Sequence, residues 1–224
     1  NYIGLKILVG RIKAADLRNI AALADRYGTG EVRLSPAQAI VIPHISDRVV
    51  GELAEEPLVK QFAYNPSPLY KGLVSCVGSD YCNLAVIETK RRAIETAHVL
   101  ERKLGEGLKP ITLHWSGCPA GCGNHLVADI GLLGKKARVG GKVVDAVDIF
   151  VGGRSGPDPK LATKIMEDVP CDKLPAVLEN LMPYHTREKM HRVRGKAAPK
   201  PAGSASPAST GRDAAGLAPQ PLSA

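Results

Sequence analysis

The stretches SCVGSDYC (Ser75–Cys82) and GCPAGC (Gly117–Cys122) set the first condition on any fold for this chain. Cys76 and Cys82 bracket five residues, Cys118 and Cys122 bracket three, and thirty-five residues separate the pairs. A long run with helical periodicity lies between them. Each pair therefore falls on a loop at one end of a regular element, and one site can draw ligands from both loops. Four thiolates can hold zinc, but structural zinc takes thiols two to four residues apart, and the first pair is wider. Four thiolates also suit a [4Fe–4S] cube, which tolerates more varied spacing. Gly78, Gly117, Gly121 and Gly123 leave backbone room, and their N–H groups are candidates to point at cluster sulfurs; Pro119 stiffens the second loop. Four buried thiols without a ligand are the third reading, because free cysteine packs as a small hydrophobe. Cys171, in VPCDK, has no partner in this pattern and reads as a packing residue.

The first sixty residues read as strand (Tyr2–Gly10), helix (Asp16–Tyr27), two strands around a turn at Pro36, and a second helix in SDRVVGELAEE with Ser46 as N-cap. Leu17, Ile20, Ala24 and Tyr27 share one face of the first helix. That order fits most of a ferredoxin-like α+β unit. FAYNPSPLYKG reads as a connection. The longest helix is expected over residues 83–105, with Ile87, Ile94, Ala97, Leu100 and Leu104 on one stripe and Glu88 and Arg92 paired on the solvent side. PITLHW reads as a strand entering the second cysteine loop. HLVADIGLLG, KARVGGKVV and AVDIFVGG read as short strands joined by glycine turns, and DKLPAVLENLM as a closing helix. Residues 195–224 are mostly Ala, Pro, Ser and Gly with almost no large apolar side chain, so a disordered tail is expected there.

The net charge of +8 and pI near 9.3 suit an acidic partner. Aromatic residues make up only 4%, too few for a base-stacking platform, so no nucleic-acid partner is expected. No run approaches the roughly 18 apolar residues of a membrane span, and no membrane association is expected. Five cysteines and no recognisable secretory signal point to a reducing compartment rather than a disulfide framework. The sequence starts at Asn1 in what reads as the interior of a domain, so these residues are expected to belong to a longer protein.

SCVGSDYCNLAVIETKRRAIE, HWSGCPAGCGNHLVADIGLLGK and VDAVDIFVGG resemble the [4Fe–4S] and siroheme-binding half of the assimilatory nitrite/sulfite reductases. NYIGLKILVGRI through EVRLSPAQAIVIPHI resembles the ferredoxin-like half-domain that precedes it in that family. The resemblance runs from Asn1 to about Arg187. It implies an α+β architecture: a half-domain over 1–66, a [4Fe–4S] and siroheme domain over 67–194, and a tail over 195–224. It implies that Cys76, Cys82, Cys118 and Cys122 hold the cube and that the Cys122 sulfur also bridges to the siroheme iron. Electrons would pass from ferredoxin, or a similar acidic one-electron donor, through the cube to siroheme and nitrite, giving ammonium.

NLAVIETK after Cys82 is similar to the ferredoxin-dependent nitrite enzymes; the sulfite enzymes tend to have a small-residue run with Pro or Gly there. Sulfite reduction is the runner-up, and a non-catalytic iron–sulfur electron-transfer module the alternative from another class. Ala120 stands where the family often has Asn, which would shift the cluster potential without preventing ligation. The family's substrate-binding Arg and Lys residues come from its first half, so this chain is expected to hold only the carboxy-terminal half and the catalytic residues stay unknown. A cytoplasmic location (the plastid stroma in a photosynthetic eukaryote) and a monomeric full-length protein are expected. His114 and His125 flank the loop and read as structural histidines ahead of a proton relay. Arg33 reads either as a contact to a siroheme carboxylate or as a surface residue, and Arg91 and Arg92 as docking charges or solvated ones.

Overall fold

The computed structural model describes residues 1–105 and 108–182; the expected tail lies outside them. The first unit comprises β1 (Ile3–Lys6), a 3-10 turn at Leu8–Gly10, α1 (Ala14–Tyr27), β2 (Arg33–Ser35), β3 (Ala39–Ile42), α2 (Val50–Glu55) and α3 (Pro57–Gln61). The strands form an antiparallel sheet in the order β1-β3-β2, with Leu5 and Leu34 both opposite Ile40. α1 buries Ile20, Leu23, Ala24 and Tyr27 against Leu5, Ile40 and Ile42. Leu23 therefore replaces Leu17 on the expected face, and Leu17 is exposed. The Tyr27 hydroxyl donates to Glu52 and Glu56, tying α1 to the helices that follow. Ser46 does not cap α2: its hydroxyl accepts from the Arg48 N–H at 3.4 Å within a turn, and the helix begins only at Val50.

The second unit comprises α4 (Pro68–Gly72), β4 (Leu73–Ser75), α5 (Lys90–Leu104), β5 (Leu113–Ser116), β6 (Ile130–Val139), β7 (Lys142–Val151) and β8 (Thr163–Pro170). A further helix, α6, covers 174–182. The sheet order is β4-β5-β6-β7-β8, with β4, β5 and β6 parallel and the last three antiparallel. Leu73, Leu113, Trp115, Ile130 and Leu132 alternate onto one face of this sheet. There they pack with Ala93, Ala97 and Leu100 of α5 and Leu174, Leu178 and Met182 of α6 in one aliphatic core.

Three expectations change in this unit. α5 starts at Lys90 rather than at residue 83, because residues 83–89 are held by tertiary bonds: Val86 N–H to Gly117 O at 2.9 Å and Ser79 N–H to Ile87 O at 3.1 Å. Glu88 does not pair with the Arg92 side chain in solvent. It is buried, and its carboxylate accepts from the Arg91 and Arg92 backbone N–H groups at 2.8 and 3.2 Å, capping the helix start. The Arg92 guanidinium instead reaches Asp145 on β7 at 2.7 Å. Finally, the glycine-punctuated strands are two continuous ten-residue strands, β6 and β7, joined at Gly140 and Gly141; both glycines have positive φ, as a tight hairpin turn requires.

Candidate metal centre

β4 and β5 run parallel and end side by side, Ser75 opposite Trp115. The Cys76–Cys82 loop leaves β4 there and the Cys118–Cys122 loop leaves β5, so the sheet alone places the two loops together. Backbone bonds lock them. The Cys76 N–H donates to Trp115 O at 3.0 Å, Gly117 accepts from Val86 N–H, and the Gly117 N–H donates to the Cys76 sulfur at 3.2 Å. Within the loops, Cys82 N–H bonds Gly78 O at 3.0 Å and Gly121 N–H bonds Cys118 O at 3.1 Å. Thr89, fully buried, donates its hydroxyl to Cys76 O at 2.9 Å and lies 3.7 Å from the Cys76 sulfur.

Cys118 is buried, Cys76 and Cys82 are partly buried, and Cys122 is exposed at the loop tip. Among the described residues no three His, Cys, Asp or Glu side chains converge on a single point, whereas a mononuclear zinc site brings four ligands to one ion. A cube takes one thiolate at each of four separate irons and needs no such convergence. Thiols on two interlocked loops, one of them already accepting a backbone N–H, fit a thiolate-bound cluster. The glycines act differently from the expectation. Only Gly117 aims its N–H at a sulfur; the Gly123 N–H donates to the Ser116 hydroxyl at 3.1 Å. What Gly123 supplies is close approach, since a Cβ there would stand 2.0 Å from Trp115 O.

The two histidines pin the second loop. His125 is buried, with Nδ1 3.0 Å from the Ser116 hydroxyl and its ring edge-on to Phe150. Ser116 thus accepts from Gly123 and can donate to an unprotonated His125, whose pKa burial and the nearby His114 push down. His114 donates from Nδ1 to Asn124 O at 3.1 Å, and burial lowers its pKa too. These are the contacts of structural histidines. Arg33 is exposed on the edge strand β2 and paired with Glu31 at 2.6 Å, the contact of a surface residue. Arg91 is mostly exposed and Arg92 is engaged by Asp145. Cys171 sits in the core, and burial pushes its thiol up to about 11.

Four polar residues around the site are not apparent from sequence patterns. Gln38, on the β2–β3 turn, donates to Ser75 O at 2.6 Å and accepts from Ser75 N–H at 3.2 Å, bracing the end of β4 from the first unit. Lys6 sends its buried ammonium to Ala37 O at 2.5 Å and Leu73 O at 2.8 Å, bridging the two units. Lys90 is buried and donates to Val9 O, and Thr89 holds Cys76. On the sheet face away from α5 lies a cavity of about 640 Å³, lined among others by Ser35, Lys71, Thr112, His114, Asn124 and Arg154.

Comparison with known proteins gives two family matches: the nitrite/sulfite reductase ferredoxin-like half domain over residues 1–59, and the nitrite and sulphite reductase 4Fe-4S domain over residues 71–199. The chain is 49% identical over 182 residues to a ferredoxin–nitrite reductase of Synechococcus elongatus, covering 81% of this chain and 35% of that protein. It is 45% identical to a chloroplastic ferredoxin–nitrite reductase of Oryza sativa, covering 81% and 30% respectively. The chain thus spans about a third of the length of these relatives. Among solved structures, the NirA protein of Mycobacterium tuberculosis superposes with a TM-score of 0.73 at 30% identity, over 80% of this chain and 34% of that one.

Proposed function

Because the chain belongs to the nitrite and sulphite reductase family, we propose that it holds the iron–sulfur cluster of a ferredoxin-dependent assimilatory nitrite reductase, whose product is ammonium. The supporting observation is the pair of interlocked cysteine loops at the ends of β4 and β5, with the Gly117 N–H on the Cys76 sulfur. Within that reading Cys76, Cys82, Cys118 and Cys122 would be the cluster ligands, and Cys122, which is exposed, would also bridge to siroheme. The relatives named ferredoxin–nitrite reductase favour nitrite over sulfite. The residues are proposed to form the carboxy-terminal part of the longer reductase. Residues 1–66 would be its half-domain, 67–194 its cluster and siroheme domain and 195–224 a tail, and the full-length protein would act as a monomer. The plant relatives are named chloroplastic; a cytoplasmic or stromal site is proposed here. Among the described residues no helix is long and apolar enough to cross a membrane.

When bound, the cluster and siroheme supply one-electron transfer and an open iron position for the anion. The chain's own residues do the positioning. Gly117 donates to the Cys76 sulfur, Thr89 and Trp115 fix the Cys76 backbone, and the Ser116–His125 contact holds the second loop against β5. A basic surface would steer an acidic donor. The test is ammonium production from nitrite with reduced ferredoxin, by the reductase carrying these residues, in wild type and Cys122→Ser. Loss of turnover with a perturbed siroheme absorption supports the reading. Turnover and spectrum unchanged in Cys122→Ser would assign the bridge elsewhere. Sulfide from sulfite at the higher rate would select the runner-up.

A further inference from the structure

We infer that Lys90, buried at the start of α5 directly after the Thr89 that contacts Cys76, is an electrostatic tuning residue for the cluster, its positive charge raising the cluster's reduction potential. The inference rests on the reading of Cys76 as a cluster ligand and goes beyond it.

Lys90 is the first residue of α5. A cation there is opposed by the positive end of the helix dipole, so the position is unfavourable unless something else holds it. What holds it is Val9 O, a carbonyl of the first unit's 3-10 turn, to which the buried ammonium donates. Val9 itself has φ 52, a conformation a β-branched residue rarely adopts, so the turn presents this carbonyl at some conformational expense. Arg11, two residues on, reaches Asp80 at 3.1 Å and lies over the Tyr81 ring, so the same turn also grips the Cys76–Cys82 loop.

Glu88 offsets this charge without forming an ion pair with it. Glu88, the neighbouring acid, directs its carboxylate to the Arg91 and Arg92 amides and to the Arg91 side chain at 3.9 Å. Burial lowers the Lys90 pKa and Arg11 lowers it further, while attraction to the Cys76 sulfur and to Glu88 pulls it back. That attraction is reciprocal: a cation that an anionic sulfur favours also favours the anionic sulfur. Lys90 follows directly after Thr89, whose hydroxyl fixes the Cys76 carbonyl, and Cys76 also receives the Gly117 N–H. The Cys76 sulfur is therefore flanked by the Gly117 N–H, the Thr89 hydroxyl and the lysine that follows Thr89. One-electron reduction adds one negative charge to a cluster. Fixed positive charge and N–H donors at its sulfurs favour that form, most strongly where solvent is excluded.

The test uses the 224-residue chain, reconstituted anaerobically with iron and sulfide and titrated with dithionite as the one-electron donor, the reduced cluster being followed by EPR. Lys90→Gln keeps a donor for Val9 O and removes the charge; Lys90→Arg keeps both. The expected result is a lower midpoint potential in Lys90→Gln than in wild type, a potential near wild type in Lys90→Arg, and equal iron content in all three. Lys90→Met, which keeps an unbranched chain of similar length without a polar group, must show the same fall and carries the test if the glutamine variant does not fold. Equal potentials across fully loaded variants would overturn the inference. Failure of the wild-type chain to take up a cluster would instead overturn the ligand reading beneath it. Iron content, separate from potential, tells the two failures apart.

Discussion

Gly123 shows how tightly single positions bind this site. A Cβ there would lie 2.0 Å from Trp115 O and 3.0 Å from the Ser116 hydroxyl, so Gly123→Ala must push the second cysteine loop off β5. The expected loss is at least about 2 kcal/mol of stability, typical of a substitution that forces buried backbone to move. It should be read as a drop in thermal midpoint together with lower iron uptake; an unchanged midpoint would mean the loop has slack. Cys171→Ser should behave oppositely. The thiol is buried, its pKa is pushed up to about 11, and it lies in the core. Replacing it with a hydroxyl should destabilise by roughly 1–3 kcal/mol and leave iron content at the wild-type level. The cysteines and glycines were legible in the sequence because their meaning lies in local spacing. Lys6 and Lys90 were not, because their partners Leu73 and Val9 lie 67 and 81 residues away. A lysine inside ETKRR reads as solvated surface until the helix start is known.

The helix that joins the two cysteine loops carries the clearest difference between pattern and structure. Periodicity extends from residue 83, since Ile87 falls in phase with Ile94 seven residues on, yet Ile87 is buried from the loop preceding the helix. What ends the helix at Lys90 is Glu88, whose carboxylate takes two of the free amides of the first turn. Glu88→Ala should cost about 1 kcal/mol, the usual value of a lost cap. A double-mutant cycle in chemical denaturation should give coupling within about 0.5 kcal/mol for the Glu88 and Arg92 side chains. Arg92 and Asp145, both partly buried and 2.7 Å apart, should couple more strongly. Strong coupling of Glu88 to the Arg92 side chain would restore the solvent pair expected from spacing alone. The sheet was read less well than the helices. β4 is three residues long, and β8 exposes six of its eight residues, so neither shows a hydrophobic pattern from which a strand could be read.

At the scale of the molecule, the two units meet through the residues that serve the cysteine loops: Gln38 on Ser75, Lys90 on Val9, Arg11 on Asp80 and Lys6 on Leu73. Burial pushes Lys6 down to about 8 from 10.5. Between those values the unfolded chain holds the proton that the folded chain gives up, so stability rises with pH across that window and is lost as pH falls through 8. Relative to Lys6→Met, wild type should gain up to about 3 kcal/mol between pH 7 and 10.5; a flat difference would show that the Ala37 and Leu73 carbonyls keep the ammonium charged throughout. The family resemblance also predicts that the 224 residues alone load a cluster yet reduce nitrite poorly or not at all, because it implies that the substrate-facing basic residues belong to the first half of the reductase. Turnover by this chain comparable to that of a full-length relative would refute that division of labour. The most direct measurement for the cluster itself is metal and sulfide analysis with EPR on the anaerobically reconstituted chain and its five single Cys→Ser variants. The account predicts about four irons per chain and a reduced [4Fe–4S] signal, impaired in the variants of Cys76, Cys82, Cys118 and Cys122 and retained in Cys171→Ser. Zinc in place of iron, or a cluster that survives all four substitutions and fails only in Cys171→Ser, would contradict it.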